Sequence, residues 1–240
     1  MSDLLNNMKD RSFLQYLNDI CTSLGAQNII YSQQCEDMTF ENIWYGKLNG
    51  PAGFYVDVGA HHPIIYSNTY RLWLHGWRGI NIDPLPGIMD IFEEFRPDDI
   101  NINVGVGSEN STQKYYSFEA AAYNTFSSER AEEVISGQYT RLKEEVDIPV
   151  YRLDYIFEQY LGNNEIDLLN IDVETKEMDV LLSNDWDRFR PKFVIAEALD
   201  QDCESIFALK DCEVVKFLMD IDYEPISKVG SAVFFADQRY

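Results

Sequence analysis

From Phe54 onward the chain alternates short apolar runs with segments of helical spacing. FYVDV (54–58), INID (80–83) and ININ (100–103, running on into Val104) read as strands. IDLLNID (166–172) and KFVIAEA (192–198) read as two more, apolar enough to be covered on both faces. Ser67 can cap a helix through SNTYRLWLH, which Gly76 can end. GIMDIFEEF (87–95) reads as a helix stopped by Pro97, and ETKEMDVLLSND as a helix after the fourth strand. This alternation predicts an α/β domain with a parallel sheet between two layers of helices.

Both ends of the chain depart from that rhythm. CESIFALKDCEVVKFLMDI reads as helix. YEPISKV (223–229) and AVFFAD (232–237) flank Gly230-Ser231 as a hairpin, so an antiparallel pair is expected to close the sheet. Residues 1–50 read as a helical segment of two or three helices, with Gly50-Pro51 as the boundary to a domain over 51–240. The polar stretch 108–150, with strand patterns at KYYSF and PVYRL, reads as an insertion over the top of the sheet. RAEEVISGQYTRLKEEVD within it reads as a solvated helical face, and Trp73 and Trp77 as packing residues.

Composition narrows the function. The 240 residues suit one large domain, and 45% hydrophobic residues supply a core. A net charge of -22 opposes binding to nucleic acid or to an anionic membrane surface. No apolar run approaches the roughly 20 residues needed to cross a bilayer, so no membrane insertion is expected. MSDLLNNMKDRSF lacks a basic n-region followed by an apolar h-region, so no signal peptide is expected. Cys21, Cys35, Cys203 and Cys212 show no C-x-x-C pairing and no nearby histidines, which points to reduced thiols in a cytoplasmic protein.

Open α/β sheets bind ligands beyond the carboxyl ends of their strands. After the first strand stand Asp57, Gly59 and Ala60, then His61-His62-Pro63. Ser67 and Asn68 begin the next helix and can face a carboxylate. Asp83 follows the second strand, where an acid can accept both hydroxyls of a ribose. The dinucleotide pattern G-x-G-x-x-G is absent, and Ala-His-His-Pro is too bulky for a pyrophosphate cradle. A ligand with a ribose and an amino-acid carboxylate but no phosphates fits better, and S-adenosylmethionine is such a ligand.

The motifs YSQQCED (31–37), GFYVDVGAHHP (53–63), SNTYRLWLHGWRGINIDP (67–84), NTFS (124–127), VYRLDYIF (150–157), IDLLNIDVETKEMDVL (166–181) and RPKFVIAEA (190–198) together resemble the FkbM-type S-adenosylmethionine-dependent methyltransferases. The resemblance runs over roughly residues 31–236, in the family's order. It implies a Rossmann-like class I methyltransferase fold: a seven-stranded sheet of order 3-2-1-4-5-7-6, last strand antiparallel. It implies O-methyl transfer, often to a sugar or polyketide hydroxyl. By motif, Asp57 and Gly59 would hold the methionine end and Asp83 the ribose. Asn103 and Val104 would border the adenine, and Asp172 would stand at the active-site end of the fourth strand. Two positions depart from the family: Thr175 stands where a glycine usually follows IDVE, and Cys35 where a glycine often precedes Glu-Asp.

A hydroxyl acceptor needs a base, or a metal that lowers its pKa. Asp172, Glu174 and Glu197 could bring carboxylates to one sheet edge, with Asp172 and Glu197 holding Mg²⁺ or another divalent cation. His61 or His62 could be the base, and the sequence does not separate them. Their bland reading is loop-shaping by hydrogen bonding. His75 reads as a partner of its helix C-terminus. Tyr123-Asn124-Thr125-Phe126 reads equally as acceptor-pocket lining or an ordinary turn. The expected function is O-methylation of a small-molecule or glycan acceptor. The rival is a methyltransferase-like binding or scaffold module without turnover, and an NAD-type oxidoreductase is disfavoured by the missing glycines.

Overall fold

Seven of the apolar runs assemble into one sheet, in a computed structural model that describes Ser23 and residues 29–45, 50–173, 175–198 and 206–240. In chain order its strands are β1 (Phe54–Val58), β2 (Arg78–Ile82), β3 (Ile100–Ile102), β7 (Leu168–Ile171), β8 (Phe193–Glu197), β9 (Tyr223–Val229) and β10 (Ala232–Asp237). They lie in the order β3-β2-β1-β7-β8-β10-β9, which is 3-2-1-4-5-7-6 counted along this sheet alone. The β3-β2-β1-β7-β8 pairings are parallel, and β10 runs antiparallel to both its neighbours. The expected α/β fold, Rossmann-like and of methyltransferase order, is therefore the observed one. Most of the N-terminal helical segment expected over 1–50 lies outside the described residues, as do Cys21, Glu174 and Cys203.

Burial explains the layers. Val56, Val58, Ile80, Ile82, Leu169, Ile171, Val194 and Ala196 point to one face. There they meet helices α5 (Leu153–Tyr160), α6 (Glu177–Leu182) and α7 (Glu213–Asp220). The opposite face carries α1 (Glu36–Ile43), α2 (Tyr70–Leu74) and α3 (Ile88–Phe95). Phe40 and Trp44 of the α1 region pack on Trp77 with ring centroids 5.9 and 4.7 Å apart, joining α1 to the sheet. Trp73 and Trp77 are both buried, as expected of packing residues.

That second face is not wholly apolar. Asp57, Asn81, Asn101 and Asn170 are the penultimate residues of β1, β2, β3 and β7. The register aligns them as Asn101–Asn81–Asp57–Asn170 across four adjacent strands. The sequence writes this as one polar residue inside each apolar triplet: INI, INI, VDV and LNI.

Two elements differ from expectation. The helix read over CESIFALKDCEVVKFLMDI is confined, among the described residues, to a 3-10 turn at Leu209–Asp211 and α7, because Cys212 takes an extended conformation between them. RLKEEVD is not helical. It belongs to β6 (Leu142–Tyr151), where exposed charges alternate with more buried residues at a period of two rather than 3.6. β6 pairs with β4 (Gly105–Val106) and β5 (Ser111–Phe118) in a separate three-stranded sheet, and α4 (Ser128–Ser136) packs on it through Ala131 and Val134. The polar stretch 108–150 thus builds a small β-arm.

Both departures from family glycine keep a glycine-like backbone. Cys35 has φ 75° and Thr175 has φ 79°. A β-branched residue there clashes with its own carbonyl. The buried Glu177 carboxylate accepts from Thr175 N at 3.2 Å and so helps hold the turn. Thr175→Gly should therefore stabilise the fold by about 1 kcal/mol, the left-handed penalty less the backbone entropy of glycine. Urea unfolding would show a higher midpoint at unchanged slope.

Candidate functional site

The carboxyl ends of β1, β2 and β7 meet around Gly59. Its N–H and that of Ala60 both donate to Ile82 O, at 2.9 and 3.1 Å, tying the loop after β1 to β2. Gly59 has φ 83°, and a Cβ on it would lie 1.7 Å from Asp172 O. Glycine is required here by the neighbouring strand's backbone as well as by its own φ. Asp172 N in turn donates to Val58 O at 2.9 Å. These contacts bring Gly59, Ala60 and Asp172 together at one point of the sheet edge.

Asp83 is the acid placed over that edge. One oxygen accepts from His61 N and the other from Leu85 N, each at 2.8 Å. Each oxygen keeps a lone pair for a further donor. Burial pushes the carboxyl above its usual range, against the pull of these two backbone N–H groups. Asn103 donates to the carbonyls of Asp83 and Leu85 at 2.7 and 2.9 Å, so its amide nitrogen fixes the Asp83 turn. Val104 is buried beside it. Tyr115 of β5 also comes close: burial pushes its hydroxyl up, with the Asp83 charge adding to the effect. The β-arm therefore flanks the Asp83 end.

Asp57 sits deeper. It is 2% exposed, and both its oxygens are engaged by the protein. Thr69 Oγ1 donates to one at 2.5 Å and Asn170 Nδ2 to the other at 2.9 Å. Asn68 donates to Asn170 at 3.2 Å. Ser67 Oγ accepts from Tyr70 N at 3.1 Å, but the helix starts at Tyr70 with Thr69 at its N-cap position, so Ser67 stands ahead of the helix rather than at the expected cap. That helix is only five residues long. Ser67 and Asn68 are buried side chains that fasten the loop's end to the sheet.

The two histidines separate. His62 Nδ1 accepts from both Ile64 N and Ile65 N at 3.1 Å, so the neutral imidazole shapes the turn. Burial pushes its pKa below the ordinary value, with His61 adding to the effect. His61 has φ 54° and gives its backbone N–H to Asp83, which leaves its ring out of that turn.

The remaining candidates disperse. Glu197 ends β8 and accepts from Ser231 Oγ at 2.6 Å, while Ser231 N donates to Gln34 Oε1 at 3.0 Å. Among the described residues no three His, Cys, Asp or Glu side chains gather as a metal site. His75 Nε2 lies 3.2 Å from Glu41, so the partner of its ring is a carboxylate. Asn124 and Thr125 bond back to Phe118 and Tyr116, folding that segment onto β5. Sequence reasoning missed Thr69, Asn170, Arg96 and Asp99. The polar residue inside each apolar triplet was the available signal for Asn170.

A family model described as "Methyltransferase FkbM domain" matches residues 57–221. No curated protein matches the chain.

The His62 contact carries a pH signature. The native chain binds the His62 proton less readily than the unfolded chain, so neutral His62 contributes stability above the unfolded value of about 6.5 and loses it as pH falls through and below that value. Protection factors of the Ile64 and Ile65 amides, taken against the intrinsic exchange rate at each pH, should fall between about pH 7 and pH 5. His62→Asn keeps an acceptor without the titration and should flatten that difference.

Proposed function

This chain belongs to the FkbM methyltransferase domain family, and from that premise we propose that it is an S-adenosylmethionine-dependent O-methyltransferase acting on a hydroxyl of a small-molecule or carbohydrate-like acceptor. The observation that carries this reading is Asp83 at the carboxyl end of β2. Its two oxygens are aimed by His61 N and Leu85 N, each with accepting capacity to spare. That pair of acceptors fits the two vicinal hydroxyls of a ribose. The loop beside it uses its Gly59 and Ala60 N–H groups on Ile82, which suits a ligand without phosphates.

The roles follow from placement. Asp83 holds the ribose, with Asn103 and Val104 forming the adenine side and Tyr115 flanking it. Gly59, Ala60 and Asp172 frame the methionine end. Asp57 shapes this region through Thr69 and Asn170, and Ser67 and Asn68 anchor the loop. When bound, S-adenosylmethionine supplies an electrophilic methyl group on a sulfonium. The protein must orient the acceptor oxygen and take its proton. His61 is assigned the proton, because His62 already spends Nδ1 on two backbone donors. Asp172 lies at the same edge and can orient the acceptor. Free thiols at Cys35 and Cys212 support a reducing, cytoplasmic setting. No helix among the described residues is long and apolar enough to cross a membrane.

Calorimetry with S-adenosylmethionine, S-adenosylhomocysteine and NAD, in Mg²⁺ and in EDTA, tests the reading. Saturable binding of the two S-adenosyl ligands alone is expected, and the EDTA arm reads out any metal at Asp172 and Glu197. Asp83→Ala should raise the dissociation constant by about tenfold or more through loss of two charge-assisted hydrogen bonds. Unchanged binding by a folded variant removes the ribose assignment. Binding without turnover across an acceptor panel leaves the scaffold reading.

A further inference from the structure

We propose that Arg96 is the positioning residue of the cofactor loop and that Thr69 is the link through which it acts. The inference rests on the reading of residues 59–69 as the loop that frames an S-adenosyl ligand.

Arg96 follows α3 and is completely buried. Its guanidinium has five N–H donors, and five contacts account for them. Nε donates to Asp99 Oδ2 at 2.9 Å. One terminal nitrogen donates to Pro63 O and Ser67 Oγ, each at 3.4 Å. The other donates to the Tyr55 hydroxyl and, at 3.0 Å, to Thr69 Oγ1. Three of the five acceptors, Pro63, Ser67 and Thr69, belong to the loop.

The other two tie the guanidinium to the sheet. Tyr55 lies in β1 and donates to Asp99 Oδ2 at 2.5 Å. Asp99 also accepts from Gly79 N and Asn81 Nδ2 of β2, both at 3.1 Å. Arginine is planar, permanently charged and forked, so fixing its Nε edge fixes where its other donors point. The sheet thereby dictates the loop's path from Pro63 to Thr69.

Thr69 carries the constraint onward. Its hydroxyl accepts from Arg96 and donates to Asp57. A hydroxyl has a single proton, so this direction is determined. Asp57 then holds Asn170, which holds Asn68. The loop is closed at this end by the relay and at the other by His61 on Asp83. An ion pair serving only the core would need Asp99 and Tyr55. The three donors aimed at the loop are what such a role leaves unexplained.

Three variants test this: Thr69→Val, isosteric without the hydroxyl; Thr69→Ser, which restores it; and Arg96→Lys, which keeps the charge and loses the fork. The readouts are the calorimetric dissociation constant of S-adenosylhomocysteine, segment-resolved amide exchange and the melting temperature. Thr69→Val should weaken binding by about tenfold, as when the shell orienting a site is loosened. Exchange should rise over residues 59–70 and stay unchanged in β7 and β8. Thr69→Ser should return both readouts to within about twofold of wild type. Arg96→Lys should raise exchange over the same segment. Equal weakening by Val and Ser, wild-type binding with wild-type protection in Thr69→Val, or exchange rising evenly across the sheet would overturn the proposal. If the wild-type chain binds no S-adenosyl ligand, the cofactor reading fails. Exchange over 59–70 still decides the positioning: selective loss of protection supports it, and unchanged protection overturns it.

Discussion

The burial of one guanidinium organises this half of the molecule. Arg96 is taken out of water among aromatic rings, with its charged carbon 5.2 Å from the Tyr55 ring centroid and 5.4 Å from that of Phe92. An unpaired charge there would cost several kcal/mol, and a partly satisfied one almost as much. Every donor must therefore find an acceptor, and the chain supplies them from β1, the turn before β3, and the loop after β1. The polar row on the sheet has the same logic. Asp57 and three asparagines would be a defect in an apolar layer if isolated. Aligned in register, they bond sideways in two pairs, Asn81 to Asn101 and Asn170 to Asp57, each bond worth about 1 kcal/mol net when made and about 1–3 kcal/mol when broken in the interior. The network thus specifies register, because a one-residue slip of any strand would point its polar residue at the opposite, fully apolar layer.

The positions of non-glycine residues at positive φ show a second constraint. Cys35 and Thr175 both adopt the left-handed conformation that glycine takes more readily. The side chain at each position bears the strain of that backbone path. Around Thr175 the reason is visible. The turn from Asp172 to α6 begins at the carbonyl that meets Gly59, and Glu177 pins it from below. A relaxed turn at Thr175 would move Asp172 O, and with it the contact that holds the loops after β1 and β7 together.

The sheet was legible in the sequence because its strands are apolar, short and separated by clear helix signals. Strand order and the final hairpin followed from the family's motifs and from Gly230-Ser231. The β-arm was only half legible. Its strands are amphipathic and highly charged on one face, and LKEEVD carries as strong a charge pattern as a helix would. The placement of Asp83, Gly59 and Asp172 at strand ends was legible, because a strand end is written in one or two residues. The roles of Arg96 and Asp99 in the hydrogen-bond network were not, since both are remote in sequence from the loop and look like surface charges beside Pro97. Nor did the sequence separate His61 from His62. The distinction lies in which backbone N–H groups the turn directs at a ring nitrogen, a property of φ at His61 rather than of residue type.

These observations divide the strand-end residues into two groups held in different ways. Asp83 is held directly, by the backbone N–H groups of His61 and Leu85 and by the Asn103 amide on its carbonyl. Glu197 is held through a chain of side chains. Glu197 depends on Ser231, Ser231 on Gln34, and Gln34 on the N-terminal motif, whose Asp37 accepts from Ser32 and Tyr31. The positive φ of Cys35 adjoins Gln34 in this chain of contacts, so the strained backbone at Cys35 helps set where Gln34 meets Ser231 and, through Ser231, where the carboxyl end of β8 is held.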